Sequence, residues 1–87
     1  MTQEDVQKGI SDECDALKAL LLEKNRRYGN SALDPQRVFS KASATEQLLV
    51  RIDDKLSRIA AGHGSDADED TIQDLLGYLI LLRVSRR

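Results

Sequence analysis

Eight consecutive residues, Lys24-Asn-Arg-Arg-Tyr-Gly-Asn-Ser31, carry three cations, an aromatic ring, a glycine and three small polar side chains. Cations neutralise phosphate, a ring stacks on a base, and glycine lets backbone approach a ligand. Downstream, Arg51, Lys55 and Arg58 recur at i, i+4 and i+7. On a helix they fall within roughly 60° of one another. Arg37 and Lys41 add two cations between the clusters. The expected ligand-binding set is Lys24, Asn25, Arg26, Arg27, Tyr28, Asn30, Ser31, Arg37, Lys41, Arg51, Lys55 and Arg58. Its chemistry is that of a pocket for a nucleotide-derived anion. Lys24, Arg26, Arg27, Arg51, Lys55 and Arg58 would contact phosphate, Tyr28 would stack, and Asn30 and Ser31 would read ribose or base edges.

Part of this pattern has ordinary structural uses. Cations in the last turn of a helix offset its dipole, and Asn30 and Ser31 suit a turn. The acids offer a rival chemistry. Glu46 and Asp53 lie seven apart on one helix, and Asp70 and Asp74 lie four apart on another. Two such pairs can hold magnesium, which would bind phosphates and activate water for pyrophosphate cleavage. The same acids can instead pair with arginines or cap a helix, and the metal ligands stay undetermined at this level. No complete catalytic set is visible, so no residue is expected to be catalytic.

Three helices must position these groups, at about 3–28, 44–61 and 69–84, within a single helical domain, 1–87. Thr2 and Asp5 start the first, Val6, Ile10, Cys14, Leu17 and Leu21 follow at helical spacing, and Gly29 ends it. Ser43-Ala-Thr-Glu46 is a capping box for the second, with Leu48, Leu49, Ile52, Leu56 and Ile59 as its apolar face. Between them, Asp34-Pro35 predicts a short helical turn near 35–40, with Val38 and Phe39 pinning the loop to the core. The loop from Gly62 to Asp70 carries Asp66, Asp68, Glu69 and Asp70, acids that favour the dipole of the third helix. That helix is apolar almost all round, which calls for burial on several sides. So short a chain cannot cover it alone, and a homo-oligomer through the third helix is expected. Gly77 inside it costs about 1 kcal/mol against alanine, which close approach of a helix or ligand would offset.

Composition narrows the classes. Thirteen basic and 15 acidic residues give a net charge of -2, against a general nucleic-acid coat and against sequence-specific nucleic-acid binding. The single Cys14 permits no internal disulfide and reads as a small buried thiol. His63, between two glycines, reads as an exposed loop residue. The polar, acidic start shows no signal peptide, and Leu75–Leu82 is far shorter than the ~20 residues that span a bilayer. A cytoplasmic protein with no membrane partner is expected.

Three segments carry a resemblance: Lys24-Asn-Arg-Arg-Tyr-Gly-Asn-Ser31, Arg51-Ile-Asp-Asp-Lys-Leu-Ser-Arg58 and Asp68-Glu-Asp-Thr-Ile-Gln-Asp-Leu-Leu-Gly-Tyr78. Over about Lys24 to Arg83 the chain resembles the small phage-encoded helical family labelled "nucleotide modification associated domain". The resemblance implies a phage origin and nucleotide-related work, without fixing the reaction. The layout is also distantly similar to the all-helical nucleoside triphosphate pyrophosphohydrolases, which hold magnesium with Glu-x-x-Glu and Glu-x-x-Asp motifs. This chain has no Glu-x-x-Glu, and its nearest equivalents are Asp53 with Asp54 and Asp70 with Asp74. Small helical phage proteins that oligomerise and trap cyclic-nucleotide or ADP-ribose-type immune signals share its size and clustered cations. The resulting expectation is an anti-defence protein that sequesters such a signal in the host cytoplasm, needing no cofactor. The alternative is a magnesium-dependent pyrophosphohydrolase or nucleotide-modification enzyme using Asp53, Asp70 and Asp74. A scaffold whose third helix docks a partner protein is a third class.

Overall fold

The computed structural model describes residues 1–63 and 70–87. They form three helices, α1 (Gln3–Tyr28), α2 (Ala44–Ala60) and α3 (Thr71–Ser85), with no strand among the described residues. The all-α expectation and the three helix spans agree with this to within two residues. Asp66, Asp68 and Glu69 of the acidic loop lie outside the described residues.

Local chemistry sets the helix ends. Thr2 Oγ1 accepts from the Asp5 amide while the Asp5 carboxylate accepts from the Thr2 amide, closing the first capping box. Ser43 accepts from the Glu46 amide at the start of α2, and Asp70 accepts from the Gln73 amide at the start of α3. Gly29, at φ 65°, turns the chain out of α1 into a conformation that side-chain-bearing residues avoid.

Packing joins α2 to α3 extensively and α1 to α3 more lightly, with no comparable contact between α1 and α2. The core is small: Leu48 and Ile52 from α2 and Leu82 from α3. Thr71 is buried beside them, and its hydroxyl donates to the His63 carbonyl at 3.3 Å, tying the end of α2 to the start of α3. Lys55 is also buried, only 7% exposed. Its position explains this: Leu48, Ile52 and Lys55 are spaced i, i+4, i+7 and share one helix face. Its Nζ lies 3.3 Å from Asp74 Oδ2 on α3, so a charge pair crosses the α2–α3 seam.

Gly77 is buried where α1 crosses α3. A Cβ there would lie 3.1 Å from Leu21 Cδ2, so the missing side chain lets the two helices close. The expected close approach at Gly77 is therefore made by a helix of the same chain.

Three expectations fail. No helical turn forms at 35–40; the turn comes earlier, where the Leu33 and Asp34 amides donate to the Asn30 carbonyl. Val38 and Phe39 do not pin the loop, Phe39 being 97% exposed; half-buried Ala32, Leu33 and Pro35 face inward instead. Cys14 is exposed, because every residue from Met1 to Ala16 lies beyond the cover of α3. Within one chain the third helix is left open, as expected for so short a chain: Ile72, Leu76, Leu79, Ile80 and Val84 are exposed. No described helix is long and apolar enough to cross a membrane.

Candidate functional site

The C-terminal half of α1, the turn that follows it and the inner faces of α2 and α3 enclose a cleft of about 230 Å³. Helix α1 contributes Lys24, Asn25 and Tyr28; the turn contributes Gly29, Asn30 and Ser31; α2 contributes Arg51. Helix α3 supplies Gln73, Asp74, Gly77 and Tyr78, with leucines from α1, the turn and α3 as apolar wall. The continuous stretch Tyr28–Leu33 lines one side, because positive φ at Gly29 folds the chain back beneath the end of α1.

The Asn25 side chain fixes that turn. Its Nδ2 donates to Asn30 Oδ1 at 3.1 Å and, more weakly, to the Gly29 carbonyl at 3.5 Å. Asn30 then offers its carbonyl to two amides of the turn. These two residues thus hold the rim in shape, and the exposed Ser31 hydroxyl completes it.

Both tyrosines of the chain border the cleft, and each has an arginine near its ring. The Arg27 guanidinium lies 5.3 Å from the Tyr28 ring centroid, and that of Arg51 lies 5.9 Å from the Tyr78 centroid, both within cation–π range. The second contact bridges α2 to α3 and holds an exposed cation at the mouth. Within the wall, the Asp74 carboxylate is matched by Lys55 from behind. With Asp74 so matched, Lys24 and Arg51 are the remaining charged residues of the lining.

The structure brings together Lys24, Asn25, Tyr28, Asn30, Ser31 and Arg51 out of the twelve residues expected to bind. Lys55 is one layer deeper, paired with Asp74 at the back of the site. Arg58 pairs with Asp54 one turn away at 3.3 Å, and Arg26 pairs with Glu23 on the outer face of α1. Arg27, Arg37 and Lys41 do not line the cleft, and Arg27 reaches it only through the Tyr28 ring. Tyr78, Gln73 and Gly77 were not among the expected site residues. A signal for them existed: Asp74, Gly77 and Tyr78 are spaced i, i+3, i+4, so they share a helix face.

Among the described residues no group of three or more His, Cys, Asp or Glu side chains is placed to hold a metal ion. Asp53 is exposed on α2, Asp70 is the α3 cap, and Asp74 is taken by Lys55. No family model, no curated protein and no solved structure matches this chain.

Proposed function

We propose that the cleft binds a small nucleotide-type anion and that the protein acts by holding this ligand intact. One observation supports the reading above the others. The only two tyrosines of the chain and two cations, Lys24 and Arg51, converge from three helices on one concave site. Aromatic rings suit the face of a base, and nearby cations suit its phosphates. Gln73 and Asn30 offer amide groups to polar edges. The volume lies below the ~300–1,000 Å³ of typical small-molecule sites, so one nucleoside-sized group enters and attached phosphates extend toward the mouth. The resemblance of Lys24–Ser31 and Arg51–Arg58 to the nucleotide modification associated domain family points the same way. Sequestration of a host nucleotide signal by a phage protein is the biological form we propose for this binding.

The test uses melting temperature and ligand recovery. Mononucleotides and cyclic or ADP-ribose-type nucleotides are screened for a rise in melting temperature, with magnesium present. We expect a rise for phosphate-bearing ligands and none for the free nucleoside. Arg51→Ala should weaken binding about tenfold, the loss of ~1.4 kcal/mol from one charge-assisted contact. The ligand should return unaltered after heat release. Turnover would replace this reading with the pyrophosphohydrolase alternative, and no thermal response would leave the scaffold reading.

A further inference from the structure

The lone chain leaves too much surface uncovered. A folded monomer of 9.7 kDa exposes about 5,100 Å², whereas this chain exposes 7001 Å², an excess of about 1,900 Å². A standard interface takes about 800 Å² from each partner. Two helix faces each expose a run of apolar side chains. One is the first half of α1, where Val6 and Ile10 lie bare, Ile10 being 59% exposed. The other is the open face of α3, with Ile72, Leu76, Leu79 and Ile80.

These two stripes are complementary. Val6, Ile10 and Glu13 are spaced i, i+4, i+7 on α1, and Leu76, Ile80 and Arg83 have the same spacing on α3. Each stripe therefore presents two apolar side chains followed by one charge, and the two charges are opposite. Neither Glu13 nor Arg83 has an ion-pair partner among the described residues. Arg86 and Arg87 follow the second stripe and add to its positive charge. Laid parallel, two α1 stripes oppose acid to acid, and two α3 stripes oppose base to base. Laid antiparallel, either self-pairing sets the charge against the partner's apolar end, whereas a parallel α1–α3 pairing sets Glu13 against Arg83. Only the mixed pairing gains from both the apolar area and the charges.

We infer that the protein is a two-fold dimer in which the first half of α1 of each copy lies on the open α3 face of the other. Such an interface is reciprocal and closes on itself, so it satisfies both stripes on both copies without building a filament. It does not depend on the proposed ligand.

The full-length chain is examined by sedimentation as wild type, as Glu13→Arg, as Arg83→Glu, and as an equimolar mixture of the two variants. The wild type should sediment as a dimer. Each variant alone should dissociate at least tenfold more readily, since both of its interfaces then oppose like charges. The mixture should recover the dimer, because each reversed charge meets its opposite and the second interface is wild type. If the single variants do not fold alone, co-expression supplies the same pairing, and recovery of the mixed dimer remains the expected result. Ile10→Asp should give a monomer that keeps its helical circular dichroism. A wild-type monomer at every soluble concentration, a larger assembly, a dimeric Ile10→Asp, or no recovery on mixing would each overturn the inference.

Discussion

The α2–α3 hairpin and the first half of α1 are both helical, and they are helical for different reasons. In the hairpin, Leu48, Ile52 and Leu82 are buried, Thr71 is bonded across the connection, and Lys55 and Asp74 pair between the helices. In α1, 26 residues long, no residue is buried, and the stretch before Leu17 touches nothing that hides it from water. There the helix rests on a capping box, the exposed Lys8–Asp12 pair at 2.7 Å and continuity with the docked half. An exposed pair of that kind is worth only a few tenths of a kcal/mol. Tertiary burial makes one region, and local sequence makes the other.

The contrast can be broken at several points. Leu48→Ala, at a residue 1% exposed, should cost about 3–4 kcal/mol in urea unfolding. Lys55→Ala should cost about 3 kcal/mol, because it removes a buried alkyl stem and strands the half-buried Asp74 carboxylate. A stability equal to wild type would mean that the pair does not cross the seam. Ile10→Ala should cost under ~0.5 kcal/mol in dilute solution, where the side chain faces water. A cost that rises with protein concentration would show a second copy covering it. Phe39→Ala should fall within ~0.5 kcal/mol of wild type, despite the size of the ring lost.

The smallest effect concerns pH. The Thr2 backbone and hydroxyl hold the Asp5 carboxyl below its ordinary value. A depressed carboxyl contributes above its unfolded value and loses that contribution as acid protonates it. The first turn of α1 should therefore fray as pH falls through and below the ordinary carboxylate range, while α2 and α3 keep their helicity. Amide chemical shifts of Thr2 to Val6 followed across that range check it.

The same division decides what was legible in the sequence. The starts of the first two helices could be read because Thr2–Asp5 and Ser43–Glu46 are bonds between residues three apart. Five of the residues expected to bind, Lys24, Asn25, Tyr28, Asn30 and Ser31, fall together on the cleft because they follow one another through the end of α1 and the turn after it. Burial is not local, and there the reading failed. Phe39 was placed inside on its hydrophobicity, yet no helix passes near enough to cover it. Cys14 has the right spacing for a core stripe, but α3 does not reach it. Lys55 erred in the other direction: its charge suggested a ligand contact, while its spacing from Leu48 and Ile52 already placed it on the buried face. Tyr78 joins the cleft only because α1 settles on α3 over Gly77, a contact between residues 56 positions apart.

Gly77 has a consequence for how this site can change over generations. Glycine is the smallest residue available, so no mutation at that position can enlarge the cleft. Every one can only narrow it, and lengthened side chains there must also displace Leu21. Adaptation to a bulkier ligand would have to proceed through the leucines of the wall or through the turn after Gly29. Restriction to a smaller one needs a single codon. The repertoire of ligands open to descendants of this chain is therefore lopsided, with contraction one step away and expansion several.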